Sequence, residues 1–337
     1  LKFFLAEASL ANSRVLNGDI KIICGNAHRA LGQEIASILG ITLCEVHTSR
    51  FADTETHVQV EESVRGKDIF IIQPTCPPVN ENLMELLITI DACRRASARQ
   101  ITALIPYYGY ARQDHKSTGR EPISAKLVAD LISVAGADRV VSVDLHASPI
   151  QGFFNIPMDH LTAVPILARY FRKKEFKDAV IVAPDAGRTK LAEKYTDILQ
   201  LPMAIITKRR RGIGGNDVDF YNVIGDVKGK TAIIIDDVIA SGSITKEAEM
   251  LSKAGAKEVY LSITHPILVG PAMERLQSPA VKELVVTNTV PVSEEKLASG
   301  KIKVLSIAPL FAKVIRYIYQ NKSISNLFLK EKIVFPV

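Results

Sequence analysis

Asp236 and Asp237 are adjacent carboxylates at the end of the apolar run Ile233-Ile234-Ile235, and a turn of small and hydroxyl residues, Ala240-Ser241-Gly242-Ser243, follows closely. The run reads as a buried strand, and residues 246–251 read as a helix. A strand that opens into a turn at a helix N-terminus is where an open parallel sheet takes its ligands. Backbone N–H groups and the helix dipole favour an anion there. The two acids repel an anion, so they need a different partner, either hydroxyl groups or a divalent cation. A sugar phosphate satisfies both demands, with its phosphate on Ala240–Thr245 and its ring hydroxyls against the acids.

Four further groupings have the right residue types for chemistry. The loop Tyr107-Tyr108-Gly109-Tyr110-Ala111-Arg112-Gln113-Asp114-His115-Lys116 carries three tyrosines and an Arg-Gln pair, suited to stacking on a base and gripping phosphate. Its alternative is a surface loop with solvated cations. Lys208-Arg209-Arg210-Arg211 runs into Gly212, Gly214 and Gly215. This reads as a cationic hinge that closes over a polyphosphate and neutralises developing charge, or as a charge run facing water. Asp144-Leu145-His146 and Pro184-Asp185 each place polar residues directly after an apolar strand, at the ligand-facing edge. In Arg50-Phe51-Ala52-Asp53-Thr54-Glu55 the phenyl ring can stack on adenine while the acids meet its amino group or the ribose.

These residues need a scaffold, and the periodicity supplies one. Apolar runs predict strands over residues 19–24, 43–46, 58–60, 68–73, 101–105, 139–143, 179–183, 203–207, 258–263, 281–287 and 302–306. Helical spacing predicts a helix carrying Leu31, Ile35, Ile38 and Leu39, ended by Gly40, and further helices over 80–96, 122–134, 164–171, 191–199, 271–277 and 310–319. Residues 208–216 read as a loop and 217–223 as a strand or hairpin arm. Strand and helix alternate throughout both halves, which predicts an α/β fold with mostly parallel sheets. At 337 residues, two domains are expected.

The bulk numbers narrow the function. The net charge of +6 is modest, the basic residues form no single stripe, and aromatic interleaving is absent. Small anionic substrates are therefore expected rather than nucleic acid. No apolar run approaches the ~18 residues of a membrane span. Leu1-Lys2-Phe3-Phe4-Leu5-Ala6-Glu7 is too short and too charged for a signal peptide. Cys24, Cys44, Cys76 and Cys93 are widely spaced and sit in or beside apolar segments. They read as reduced core thiols, as expected of a cytoplasmic protein.

Taken together, residues 80–97, 106–114, 144–154 (Asp-Leu-His-Ala-Ser-Pro-Ile-Gln-Gly-Phe-Phe) and Lys208-Arg209-Arg210 resemble the ribose-phosphate diphosphokinases, or phosphoribosyl pyrophosphate synthetases, of the bacterial-type, phosphate-activated class. The likeness runs from about Ile20 to Phe328. It implies transfer of the diphosphoryl group of ATP to the C1 hydroxyl of ribose 5-phosphate, for nucleotide biosynthesis. It also implies two similar phosphoribosyltransferase-like domains: an ATP-binding domain over 19–161 and a ribose-5-phosphate-binding domain over 162–322, flanked by an extension (1–18) and a tail (323–337). Lys208 and Arg210 would be catalytic. Phe51, Asp53, Glu55, Arg112 and Gln113 would bind ATP. Asp236, Asp237, Ala240, Ser241, Gly242, Ser243 and Thr245 would bind ribose 5-phosphate, while His146 and Asp185 reach Mg2+. The resemblance also implies a homo-oligomer, a hexamer built from dimers. By the same resemblance, phosphate and ADP would act as effectors at an anion site drawn from Ser63, Arg65, Arg120, Ser323, Ser325 and Phe328. Two departures stand out. The turn after Asp237 is one residue shorter than the class usually has, with Ala240 and Ser241 in place of an acid and a threonine. The usual Gly-Gly after Pro184-Asp185 is altered, to Ala186-Gly187-Arg188. Alternatives are a type I phosphoribosyltransferase and a non-catalytic regulatory homologue.

Overall fold

The computed structural model describes residues 19–211 and 218–325, with the side chains of residues 208–211 and 218–221 outside that description. The described residues up to Leu161, joined by those from Ala308 on, form one unit; Thr162–Ile307 form a second.

The first unit is built on a five-stranded sheet in the order β1 (Ile20–Cys24), β4 (Asp68–Ile72), β5 (Gln100–Ile105), β6 (Arg139–Val143), β7 (Met158–Leu161). Every pairing in it is parallel. All five residues of β4 are buried, as a parallel strand covered on both faces requires. Helices α1 (Arg29–Leu39), α2 (Val79–Arg95) and α3 (Ser124–Ala135) supply the cover. α1 buries Leu31, Ile35, Ala36 and Leu39 along one stripe and stops at Gly40, whose φ of 71° is a left-handed conformation that favours glycine. α2 places Glu81 in its first turn and Arg94 and Arg95 in its last, each complementing the helix dipole.

For the first unit the sequence expectation differs from the structure in four places. A strand is predicted over 43–46, but Leu43 makes a single bridge to Ile22, and the strand β2 runs from Val46 to Arg50. It pairs antiparallel with β3 (Thr56–Val60) as a separate hairpin. The strand β7 is too short and too polar to stand out by periodicity. Pro122 lies outside α3, because the Glu121 carboxylate accepts the Ser117 and Thr118 amides and holds the preceding residues as a turn. The last helix, α9 (Ala308–Tyr319), groups with the first unit rather than closing the domain predicted over 162–322. It packs on α1, where the Arg316 guanidinium donates to the Ile38 carbonyl at 3.1 Å.

The second unit holds seven strands in the order β10 (Val218–Ile224), β9 (Met203–Arg211), β8 (Ala179–Ala183), β11 (Thr231–Ile239), β12 (Glu258–Pro266), β13 (Val281–Thr287), β14 (Ile302–Leu305). Only β10 is antiparallel to its neighbour. The helices are α4 (Val164–Lys173), α5 (Thr189–Leu199), α6 (Thr245–Lys253), α7 (Ala272–Leu276) and α8 (Glu294–Leu297). After β8 the chain moves to one side to make β9, then returns to place β11 on the other. The crevice between the C-terminal ends of β8 and β11 is thus the topological switch point, where such sheets bind ligands. Residues 208–211 are not a loop: they continue β9, with Lys208 opposite Tyr221 and Arg210 opposite Asp219. Cross-strand pairing holds that backbone extended; the glycine-bearing residues 212–217 lie outside the described residues. No described helix is long and apolar enough to cross a membrane.

Candidate active site

The acid pair lies within β11, not after it. Asp237 is 4% exposed while Asp236 is half-buried. The turn that follows is tightly held. The Val269 amide donates to the Ala240 carbonyl at 2.9 Å, and Arg275 Nη1 donates to the Ser241 carbonyl at 3.0 Å. Thr245 Oγ1 donates to the Gly242 carbonyl at 2.9 Å. Gly242 has φ 75°, and a Cβ there would stand 3.0 Å from Ala272 Cα, so α7 leaves room for glycine alone. The Ser243 side chain faces solvent, and Ala240 and Ser241 are half-buried. The segment 240–245 therefore joins a rigid turn to the N-terminus of α6, a geometry that takes an anion. Arg275 supports it from α7 and is not legible in the sequence, since it meets the turn across 34 residues.

A second unforeseen residue stands at the switch point. Asp185, directly after β8, accepts the Arg188 amide on Oδ1 at 3.1 Å and starts a short 3-10 turn. From that turn Arg188 reaches across to β11. Its Nε lies 2.8 Å from Asp236 Oδ1, and its Nη2 lies 2.6 Å from Asp237 Oδ1. The only sequence signal was the departure from the usual Gly-Gly. Burial, then the neighbouring Asp237 charge, pushes the Asp236 carboxyl up to about 8, with Arg188 pulling the other way. The pair therefore holds a proton at a pH where an ordinary carboxyl has lost it.

In the first unit, Phe51, Asp53 and Glu55 fall together in the β2–β3 turn. The Phe51 amide donates to the Glu55 carbonyl at 2.9 Å, and the Glu55 amide donates to Asp53 Oδ1 at 3.2 Å. Phe51 is 56% exposed, its ring edge-on to His57 at 5.5 Å, which leaves a face for stacking. Arg112 and Gln113 are exposed on the long loop, and Gln113 Oε1 accepts from Ser124 Oγ at 2.6 Å. The tyrosines there are not three equivalent stacking groups. Tyr108 is 2% exposed, packs on Phe154, and donates its hydroxyl to the Ala125 carbonyl at 2.9 Å. It is a core residue. Tyr110 bonds Asn80. Gly109 is required beside it, because a Cβ would stand 2.5 Å from the Thr75 carbonyl oxygen.

At the end of β6, Asp144 adopts φ 36°, a conformation non-glycine residues rarely take, and is 8% exposed. The Leu145 amide donates to His160 Nε2 at 2.9 Å, which holds this corner and the half-buried His146 that follows. His146 lies in the first unit, Asp185 in the second. Among the described residues no group of three or more His, Cys, Asp or Glu side chains is placed to hold a metal. Asp185 remains suited to Mg2+, which prefers oxygen, keeps several waters and is commonly bound by one or two carboxylates plus substrate phosphates. Of the anion-site residues, Ser63, Arg65, Arg120, Ser323 and Ser325 are exposed in the first unit, and Phe328 lies outside the described residues. The Lys208 and Arg210 side chains also lie outside them. All four cysteines are buried and unpaired; burial pushes Cys24, Cys44 and Cys76 up to about 11 and Cys93 up to about 12.

Comparison with known proteins adds to this geometry. A family profile described as the N-terminal domain of ribose phosphate pyrophosphokinase matches residues 20–136, and one described as a phosphoribosyl synthetase-associated domain matches residues 215–329. A ribose-phosphate pyrophosphokinase of Bacillus caldolyticus is 53% identical over 310 residues, covering 92% of this chain and 98% of its own. One from Clostridium tetani is 53% identical over 313 residues, covering 92% and 97%. The crystal structure of phosphoribosylpyrophosphate synthetase from Mycobacterium smegmatis superposes with a TM-score of 0.85 at 45% identity, over 90% of this chain and 99% of that one.

Proposed function

The chain belongs to the ribose-phosphate pyrophosphokinase family, and we propose from that premise how its residues carry out the reaction. The protein is an enzyme that transfers the diphosphoryl group of ATP to the C1 hydroxyl of ribose 5-phosphate, giving 5-phosphoribosyl 1-diphosphate and AMP. The C1 oxygen attacks the β-phosphorus, the bond to the α-phosphoryl oxygen breaks, AMP leaves, and the hydroxyl proton is released. No covalent enzyme intermediate is needed, since such transfers depend on positioning and charge neutralisation.

The observation that carries this reading is the acid pair and pinned turn at the switch point of the second unit. The Ala240–Thr245 turn takes the sugar phosphate, through backbone amides and the Ser241 and Ser243 hydroxyls, while the buried Thr245 hydroxyl, expected to bind the phosphate, instead holds the turn through the Gly242 carbonyl. Asp236 and Asp237 serve the sugar hydroxyls. Phe51 stacks on adenine, Asp53 and Glu55 meet its amino group or the ribose, and Arg112 and Gln113 grip the nucleotide. Lys208 and Arg210, on the β9 edge of the cationic arm, neutralise charge on the β-phosphoryl group as it is attacked. Asp185 is suited to hold Mg2+ through oxygen, and the family resemblance assigns a magnesium-ligand role to His146 as well. When bound, the cation supplies charge neutralisation at the phosphates.

Ser63, Arg65, Arg120, Ser323, Ser325 and Phe328 form the proposed effector site for phosphate and ADP in a hexamer built from dimers. Hydroxyls and guanidinium groups are the chemistry such anions need. Four buried, unpaired thiols support a reducing compartment, the cytoplasm. The test is incubation of the purified chain with Mg2+, ATP and ribose 5-phosphate. AMP and 5-phosphoribosyl 1-diphosphate should appear in equal amounts. No AMP, together with consumption of the activated sugar when a base is added, would establish a phosphoribosyltransferase instead.

A further inference from the structure

We propose that Arg188 is a positioning residue for the sugar substrate. It divides the acid pair into an anchor, Asp237, and a single presenting carboxylate, Asp236. The inference rests on the reading of this site as the sugar site. Its observations are independent of that reading, because they concern the chain's own hydrogen bonds.

Asp236 Oδ1 is fully engaged, accepting Arg188 Nε at 2.8 Å and the Asp237 amide at 2.8 Å. Both of these contacts fall on one oxygen of the carboxyl group. The Asp236 side chain is 22% exposed and that of Asp237 is 6% exposed, so an incoming ligand meets Asp236 first. Asp237 Oδ1 takes Arg188 Nη2 at 2.6 Å, within a side chain that is itself 18% exposed. The base of Arg188 is fixed as well, since its amide donates to Asp185 Oδ1 and to the Asp185 carbonyl at 3.3 Å.

A planar guanidinium spanning two carboxylates from one side defines the orientation of both. Two neighbouring acids with no cation between them repel, and each is free to turn toward solvent or take a proton. Arg188 sets one positive charge against the pair and fixes both carboxyl groups, with the more exposed Asp236 nearer solvent as the hydrogen-bonding partner for a hydroxyl. The ligand class this fits is a furanose phosphate with a free ring hydroxyl. The two departures from the family, the short turn and Arg188, thus occur in one site.

The test uses full-length protein and initial rates with ATP and ribose 5-phosphate varied separately. Arg188→Gln should raise KM for ribose 5-phosphate about 10- to 100-fold, the usual span for a lost charge-assisted contact, and leave KM for ATP within about twofold. Arg188→Lys keeps the charge but loses the fork, and should recover part of that loss. Asp236→Asn should produce a comparable rise. Adding Arg188→Gln to Asp236→Asn should change KM less than about threefold further, because Arg188 acts through Asp236. Three results would overturn the proposal: unchanged KM for the sugar, equal losses for sugar and ATP, or tighter sugar binding once Arg188 is removed. Should Arg188→Gln not fold, Arg188→Lys carries the same readout. Should the wild type release no AMP, the thermal shift produced by ribose 5-phosphate in wild type and Arg188→Lys still decides the role of Arg188. The proposed function would then fail separately.

Discussion

At the scale of single residues, the site is governed by how charge is held out of water. Asp236 keeps its proton to about pH 8 in the fold, whereas in the unfolded chain it loses it in the ordinary carboxyl range. Between those two pH values the native state binds a proton that the unfolded state has released, so raising the pH removes stability. Urea unfolding of the unliganded protein should show stability falling from about pH 5 to pH 8, and Asp236→Asn should flatten that slope. A second residue-scale outcome concerns Gly109, whose added Cβ would stand 2.5 Å from the Thr75 carbonyl oxygen, a backbone atom that cannot swing away. Gly109→Ala should cost about 1–3 kcal/mol in the same unfolding experiment.

At the scale of elements, the two units use one device, an antiparallel arm beside a parallel sheet. In the first unit the β2–β3 turn gathers Phe51, Asp53 and Glu55; in the second, the β9–β10 arm carries Lys208 and Arg210. The two arms should fail differently. Phe51→Ala removes a stacking surface worth about 0.5–1.5 kcal/mol, which predicts a several-fold rise in KM for ATP and little change for ribose 5-phosphate. In the proposed role of Lys208, Lys208→Ala removes charge neutralisation realised at the transition state. Its kcat should fall about 10²- to 10³-fold with KM for ATP nearly constant. Steady-state kinetics separate the two.

At the scale of the whole molecule, the path of the chain matters as much as its sheets. After building the second unit it returns to supply α9 to the first, where Leu310, Phe311, Val314 and Ile315 are buried. Phe311 is fully buried, so Phe311→Ala should cost about 3–5 kcal/mol of the first unit's stability, measured by urea unfolding. The C-terminal segment is thus a structural part of the unit that also carries Phe51, Arg112 and His146.

The strands over 139–143, 179–183 and 281–287 have the same bounds in the sequence reading and in the structure. Ala179–Ala183 is the plain case, a parallel strand covered on both faces and so a continuous apolar run that ends where a polar turn begins. The other two keep an apolar stretch despite Arg139, Lys282 and Glu283 near their starts. The α/β class and the family were legible for the same reason, because strand ends and the motifs beside them are local in the chain. What the sequence could not show was every feature made by residues distant in the chain. Tyr108 has the letter of a binding residue, yet it is a core side chain because α3 places the Ala125 carbonyl against its hydroxyl. Residues 208–211 have the composition of a loop, yet they are strand because β10 pairs with them. Arg188 stands 48 and 49 residues before the acids it spans. The sequence by itself marked the acid pair and the turn after it as residues of the right type for a sugar phosphate. Only the tertiary structure decided that one guanidinium, that of Arg188, meets both Asp236 and Asp237, because a hydrogen bond between strand ends depends on the order of strands in the sheet.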